Sequence, residues 1–485
     1  MNISELNPTR VWKHFYALTQ IPRPSKKEEK AIAFLEKFGK DLGLETIRDG
    51  IGNIIIRKPA TPGMENRKGI ILQAHIDMVP QKNSDKVHDF EKDPIQPRVI
   101  DGWVYATGTT LGADNGLGLA VAMAVLEAKD LVHGPVEALF TVDEETGMTG
   151  ARMLQPGIIK GDILINLDSE DEGELYVGCA GGLDATATFN YKSENTPADL
   201  NGYKLSVTGL KGGHSGMDIV LGRGNANKAI VRILLPLMEQ FGARLASIEG
   251  GSLRNAIPRE AFACLAMSKA NESGAMELVN RHLAEMKAEL SAHEPDLSIV
   301  LEPAERPAEL IDAETAQKAV MAVYGAPNGV ERMSDAMPGL VETSNNLAIV
   351  KSEGGKIQIK CLMRSSVDTA KDILAQSLAS VFKLAGANVE FSGGYPGWKP
   401  NMDSDILGTM KVVYSEMYGK EPEVKAIHAG LECGILGGIY PNWDMISCGP
   451  TIRSPHSPDE RTNIETVGKW WDYVVKVLEK APVKK

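Results

Sequence analysis

Three apolar, β-branched runs in the first 168 residues of the chain each end abruptly in polar or charged groups. They are Gly69-Ile-Ile-Leu-Gln-Ala-His75-Ile-Asp77, Glu137-Ala-Leu-Phe-Thr-Val-Asp143-Glu144-Glu145 and Asp162-Ile-Leu-Ile-Asn-Leu-Asp168. A short run that is apolar at successive positions reads as a strand buried on both faces, the pattern of a parallel sheet covered by helices. Helical periodicity from Gly116 to Glu127 separates the first two runs, and strands alternating with helices indicate an α/β layered domain. In such sheets ligand sites lie beyond the carboxyl ends of the strands. His75, Asp77, Glu144, Glu145 and Asp168 all fall at such ends. Side chains alternate along a strand, so Glu144 and Glu145 are expected to diverge where the chain leaves it. A solvated acidic strand end is the alternative for this stretch.

The remaining pattern divides the chain. Val11, Phe15 and Leu18 give one helical stripe, and Ala31, Phe34, Leu35, Phe38 and Leu42 give another, with the Pro22-Arg-Pro24 turn between them. Ser25-Lys-Lys-Glu28 has the form of a capping box opening the second helix, and Gly43 stands where a left-handed C-terminal residue is expected. Gly178-Cys-Ala-Gly-Gly182 reads as a hinge. Beyond it, Leu183–Asn190 and Tyr203–Thr208 alternate with period two, as half-buried strands do. A helix from about Asn225 is expected to end or kink at Pro236. Residues 183–394 are therefore read as an α+β domain inserted into a discontinuous first domain, 1–182 and 395–485.

At 485 residues the chain exceeds one ordinary core. Hydrophobic content of 43% and charged content of 24% describe a globular protein. The net charge of -12 leaves no basic face for nucleic acid or an anionic membrane. The longest apolar run, near Leu117 to Leu126, falls short of the roughly 20 residues that span a bilayer. The N-terminus lacks a basic region followed by an apolar run, so no signal peptide is expected. Cys179, Cys264, Cys361, Cys433 and Cys448 are odd in number and scattered, which suits reduced thiols in a cytoplasm.

Imidazole and carboxylate donors suit zinc, manganese or cobalt. His75 and Asp77 stand two apart, a spacing that on a strand turns both side chains to one face and lets the carboxylate take the second ring N–H of a ligand histidine. A core histidine beside a helix cap is the alternative. Asp114, between Gly112 and Gly116, either shapes a turn or cap, or stands close enough to bridge two ions. Asp168 is a ligand candidate or a loop acid. His456, between Pro455 and Pro458, is a poor candidate for a core position.

These pieces, in this order, resemble the co-catalytic zinc metallopeptidase family that includes glutamate carboxypeptidase, aminoacylase and tripeptide aminopeptidase. The resemblance runs nearly end to end. It rests on His75-x-Asp77, Asp114, Glu144-Glu145, Asp168 and the late His456, with Gly-Thr-Thr-Leu-Gly-Ala-Asp-Asn-Gly, Leu-Lys-Gly-Gly-His-Ser-Gly, Leu-Arg-Asn-Ala-Ile-Pro-Arg-Glu and His-Ala-Gly-Leu-Glu-Cys-Gly in support. It implies a layered sheet-and-helix catalytic domain carrying two divalent ions, zinc before cobalt or manganese, and an inserted lid and dimerisation domain. Asp114 would bridge the ions, His75 and Asp168 would hold one, and Glu145 and His456 the other, with a cis peptide after Asp114. Two divalent ions balance Asp114, Glu145, Asp168 and a bridging hydroxide, whereas three unpaired buried carboxylates would be costly.

By the same resemblance, Glu144 is the general base acting on the metal-bridging hydroxide's parent water, and Asp77 holds His75 in its ligating tautomer. His214 would stabilise the oxyanion, while Arg364 and Asn255, with backbone near Gly430, would clamp a terminal carboxylate. The implied substrates are small peptides, Xaa-His dipeptides including the β-alanyl-histidine type. A homodimer through the inserted domain is expected if His214 serves a partner's site; the insertion is also long enough to supply it within one chain. A metal-dependent N-acyl-amino-acid amidohydrolase and a non-catalytic metal-dependent peptide-binding protein are the alternatives, and the Glu144 carboxylate favours an enzyme. His428 and Glu432 are further candidates for contact with a substrate imidazole, whereas His14, His88, His133, His282 and His293 suit surface or packing roles.

Overall fold

The computed structural model describes residues 2–484. They form two compact units: one runs up to Gly178 and adds Trp398–Ala426 and the chain from Leu431, and the other is Cys179–Gly397 with Ile427–Gly430.

In the first unit, eight strands among the described residues form a sheet in the order Glu45–Arg48, Ile54–Lys58, Val136–Thr141, Ile70–His75, Ile163–Asn166, Asp444–Ser447, Glu174–Cys179 and Glu423–Ile427. Its centre is parallel: Ile70–His75 pairs in parallel with Val136–Thr141 and with Ile163–Asn166, which pairs in parallel with Asp444–Ser447. The three apolar runs occupy this centre, and every residue of their strands is buried. That burial is why they lack alternation. The helix Ala113–Glu127 is buried from Asn115 to Leu126, and Thr9–Thr19 packs against it through Val11, Trp12, Phe15 and Leu18. A C-terminal helix, Ile464–Glu479, packs on Asp405–Tyr418, where Tyr473 donates to the carbonyl of Met410 at 2.8 Å.

Two local expectations change in this unit. The second helix starts at Glu29, and the expected capping box does not form. Ser25 Oγ donates to Asp77 instead, at 2.8 Å, and the Glu28 carboxylate accepts the Asp143 N–H at 3.0 Å. Both side chains are recruited by distant loops. At the acidic stretch the strand ends at Thr141, Asp143 turns left-handed with φ 53°, and Glu144–Gly147 forms a single helical turn. Glu144 and Glu145 therefore diverge by the roughly 100° per residue of a helix rather than by strand alternation. Asp143 is structural: its carboxylate takes the hydroxyls of Thr146 and Thr149.

The second unit is built on an antiparallel sheet, in the order Ser298–Pro303, Leu200–Thr208, Ala261–Ser268, Arg244–Gly250, Val341–Glu353, Lys356–Ser365, Gly181–Asn190 and Asn388–Tyr395, with Gly329–Met333 also paired to Val341–Glu353. Its strands alternate as read: Tyr203, Leu205 and Val207 are buried in the core, Lys204 and Ser206 are not. The helices Ala226–Phe241, Glu272–Glu289, Ala313–Gly325 and Asp368–Leu384 complete that core. Pro236 does not end the first of them, which runs on to Phe241. The fully buried stripe Ile230, Ile233, Leu234 and Leu237 holds the helix against the core and outweighs the missing amide bond. Residues 427–430, read from sequence with the first domain, belong to this unit, where the Ala180 N–H donates to Ile427 and Ala429. No helix among the described residues is long and apolar enough to cross a membrane.

The central parallel strands predict one stability result. Leu72 is fully buried in the middle of Ile70–His75. Leu72→Ala should destabilise the first unit by about 2–5 kcal/mol through lost burial and a residual cavity, read as a lower urea midpoint.

Candidate metal centre

His75 ends its strand, and Asp77 lies two residues beyond, past the last paired residue. The imidazole Nδ1 is nevertheless 3.3 Å from Asp77 Oδ1 and 3.2 Å from the Asp77 carbonyl oxygen. Asp77 does more than face His75. Its Oδ1 accepts the Glu144 N–H at 2.9 Å, and its Oδ2 accepts the Glu145 N–H at 3.2 Å as well as the Ser25 hydroxyl. One carboxylate thus joins the ends of two parallel strands at the first residues of the acidic turn.

On its other side, His75 Nε2 lies 3.0 Å from Asp114 Oδ1 and 3.4 Å from Asp168 Oδ1. His456 Nε2 lies 3.2 Å from Asp114 Oδ2 and 3.0 Å from Glu145 Oε2. Asp114 therefore stands between two imidazoles and presents one oxygen to each. The five ligand candidates converge as two triads that share Asp114. His75, Asp114 and Glu145 also offer ligand atoms all within 4.8 Å of one another.

The Asp114 segment is locally unusual. The Asp114–Asn115 peptide is cis, and both residues have non-helical backbone within the helix Ala113–Glu127. Asn115 donates to the Leu167 carbonyl at 2.9 Å and also to Asp168, so it links the Asp114 turn to the next ligand candidate. A side chain at Gly118 would collide with Asn115 and with the Leu167 carbonyl. Sequence reasoning missed Asn115, because Asp-Asn-Gly reads as ordinary turn chemistry.

The charges are lopsided. Burial pushes the Asp168 carboxyl up to about 6 against the pull of His75. Burial also pushes Glu144 well above the usual carboxylate range, with His75 opposing and Asp168, Glu432 and Glu145 adding. His456 is pushed up to about 11 by its contacts with Asp114 and Glu145. Glu145 Oε1 is buried without a hydrogen-bond partner. An orphaned carboxylate oxygen, crowded acids and two imidazole nitrogens converging on them form a donor set that fits divalent cations. Nitrogen and oxygen donors of this kind do not separate zinc from cobalt or manganese.

The four substrate-end candidates all lie in the second unit. Arg364 is buried, donating from Nε to Ser215 Oγ at 3.3 Å and from Nη1 to Tyr395 Oη at 3.2 Å. His214 Nδ1 accepts the N–H groups of Gly216 and Met217, both at 3.1 Å, which leaves the neutral ring its proton on Nε2. Burial lowers its pKa, with Arg364 acting the same way. Asn255 lies exposed in a turn whose carbonyl accepts the Ser215 N–H at 2.8 Å. Gly430 packs on the Tyr395 ring, which a Cβ would approach to 3.1 Å. Ser215 and Tyr395 carried no sequence signal: a serine beside glycine and a tyrosine at a strand end are too common.

His428 and Glu432 part company despite their spacing. His428 belongs to the second unit, bonded through Nε2 to Ser344 Oγ at 2.7 Å and pushed down to about 3 by burial, with Arg364 and His214 adding. Glu432 is fully buried in the first, where Gln73 and Thr141 donate to its Oε2 at 2.6 and 2.8 Å. Burial pushes Glu432 up to about 7, with Asp168 adding and His75 opposing, and its Oε1 is buried without a hydrogen-bond partner.

Comparison with known proteins agrees with this architecture. The model of peptidase family M20/M25/M40 matches residues 71–480. The chain is 47% identical over 482 residues to the cytosol non-specific dipeptidase of Escherichia coli, covering 99% of each. It superposes with a TM-score of 0.96 on the crystal structure of aminoacylhistidine dipeptidase from Vibrio alginolyticus, at 49% identity and covering 100% of this chain and 99% of that one. A likeness to the aminopeptidase PepT of Bacillus cereus, with a TM-score of 0.58 at 20% identity over 98% of this chain and 99% of that one, is one of fold alone. The chain belongs to peptidase family M20/M25/M40, and it is a metallopeptidase, a hydrolase acting on peptide bonds.

Ions bound only by the folded state stabilise it by mass action, by about 2.7 kcal/mol at a free concentration 100 times Kd. Treatment with a chelator should lower the melting temperature, and add-back of a divalent ion should restore it in a concentration-dependent way, as followed by scanning calorimetry.

Proposed function

We propose that this chain is a dinuclear metal-dependent dipeptidase that cleaves Xaa-His dipeptides, the β-alanyl-histidine type included. The observation that carries the reading is Asp114, whose two carboxylate oxygens face His75 and His456 at 3.0 and 3.2 Å. The end-to-end similarity to two proteins named as dipeptidases supports it. Their names differ in breadth, non-specific in one and aminoacylhistidine in the other, so histidine is proposed as an accepted and preferred C-terminal residue.

His75 and Asp168 would hold one ion, Glu145 and His456 the other, and Asp114 would serve both; zinc is the proposed metal. Two such ions, when bound, acidify water and polarise the scissile carbonyl. Glu144 takes the proton of the attacking water on its carboxylate and passes it to the leaving amine nitrogen. Its burial suits that double duty, because a carboxylate short of solvation accepts a proton more readily. Asp77 orients His75 and, through the Glu144 N–H, the base itself.

The first unit is the catalytic domain and the second the lid and dimerisation domain. His214 donates from Nε2 to the developing oxyanion. Arg364, braced by Ser215 and Tyr395, takes the terminal carboxylate with Asn255 and the backbone at Gly430. A homodimer through the second unit and a cytoplasmic location complete the reading; five scattered free cysteines and the relative named for the cytosol support the location.

Glu144→Gln should retain two metal ions per chain by elemental analysis while turnover falls about 10²–10⁴-fold; undiminished turnover would remove Glu144 from the mechanism. In a hydrolysis panel of Xaa-His, Xaa-Gly and N-acyl-histidine substrates, Xaa-His should show the highest kcat/KM. Cleavage confined to the N-acyl compounds would make the protein an amidohydrolase instead.

A further inference from the structure

We infer that Arg23 and Glu460 form a buried clamp that holds three ligand-bearing loops in register and thereby sets the affinity and geometry of the metal centre. This rests on the proposed ligand set. Neither residue is proposed as a ligand, and both act through backbone groups, so they are positioning residues.

Arg23 sits between Pro22 and Pro24 and is only 2% exposed. Its Nη1 donates to the carbonyls of Ile76 and Asp77, both at 2.9 Å, and its Nη2 to the carbonyl of Gly112 at 2.5 Å. One planar guanidinium thus spans the segment that follows His75 and the segment that precedes Asp114. The space for it is built into the sequence. A Cβ at Gly112 or at Gly116 would lie 2.6 Å from Arg23 Nη2 in either case, and Gly112 also adopts φ 70°. These two glycines, read from sequence as turn punctuation, make room for the arginine.

Glu460 closes the other side and is 1% exposed. Its Oε2 accepts the N–H groups of Leu111 and Gly112 at 2.7 and 2.9 Å, and its Oε1 those of Ala113 and Asp114 at 2.7 and 3.2 Å. Four successive amides converge on one carboxylate, the last belonging to the proposed bridging residue. Glu460 stands four positions after His456, which is itself held at φ 58°. The clamp therefore ties the His75–Asp77 segment, the Leu111–Asp114 segment and the His456 loop through two side chains of opposite charge.

Substitution on either side has a defined consequence. Lysine is a point donor and cannot reproduce the planar fork that reaches carbonyls on two segments. Glutamine at 460 replaces one acceptor oxygen by an NH₂ group, which would face two N–H donors. In each case the proposed ligands keep their identities and lose their mutual register. Groups that orient metal ligands from behind typically change metal affinity by 10–100-fold, and the same range is expected here.

The test uses the full chain with Arg23→Lys, Glu460→Gln and a control, Val477→Ala, a buried helix substitution outside the centre. Each is checked for folding by far-ultraviolet circular dichroism. Zinc dissociation constants are then measured by chelator competition, and visible absorption spectra are recorded after cobalt substitution. Arg23→Lys and Glu460→Gln should raise at least one zinc Kd by about 10–100-fold and alter the cobalt bands. Val477→Ala should lower the melting temperature and leave both readouts as in the wild type. Wild-type Kd values and an unchanged cobalt spectrum in the two clamp variants would overturn the inference, whatever their loss of melting temperature. If Arg23→Lys fails to fold, Glu460→Gln decides by the same readouts. Absence of divalent-ion binding by the wild type would overturn the ligand reading itself, a result distinct from failure of the clamp.

Discussion

The carboxylate of Asp77 is the interaction on which the centre depends. It is fully buried, and its burial is compensated by two backbone amides, a serine hydroxyl and an imidazole. The amides are those of Glu144 and Glu145, and the imidazole is that of His75. Asp77 therefore couples the outcome of one parallel strand to that of its neighbour. Burial alone would raise its pKa, but His75, the Glu144 amide and the Ser25 hydroxyl pull it below the ordinary value, so it stays an acceptor. Protonation would turn one of its two acceptor oxygens into a hydroxyl donor facing groups that themselves donate.

Around that anchor the structure concentrates acid. Glu144, Glu145, Asp114 and Asp168 gather at the carboxyl ends of parallel strands, and the displaced pKa values of Asp168 and Glu144 record the resulting repulsion and desolvation. Such a cluster calls for positive charge among it, which is why the arrangement of the ligand candidates and membership of a metallopeptidase family support one another. The second unit carries a different kind of polar group. Arg364, His214, Ser215, Tyr395 and His428 are polar and basic, with the two imidazoles kept neutral by burial and by Arg364. Acidic and basic groups are thus segregated by unit.

Much of this was legible in the linear chain. A buried parallel strand must be apolar at successive positions and can become polar only where it emerges, so the three central strands and the groups at their ends announce themselves. His75, Asp114, Glu145, Asp168 and His456 were each visible as a residue type in a plausible setting, and their order carried the family resemblance. The failures share a cause. Ser25 and Glu28 have the spacing of a local cap, yet each bonds a loop more than 50 residues away. Of the two outcomes expected at Pro236, the helix ending there is not the one seen, since it runs on to Phe241. Glu432, close to His428 in sequence, is buried in the other unit.

By itself, the sequence determined the secondary-structure periods, the parallel sheet and the chemical identities of the donors, because hydrophobic patterning and side-chain chemistry are properties of short segments. Only the tertiary structure decided which atoms meet. Asp114 becomes a shared group because the loops carrying His75 and His456, 381 positions apart by number, arrive at its two oxygens. Arg23, Glu460 and Asn115 acquire their roles from the same convergence. Hydrogen bonds formed across hundreds of residues leave no periodic trace in the chain, since closing a long loop constrains only where its ends meet and says nothing to the residues between.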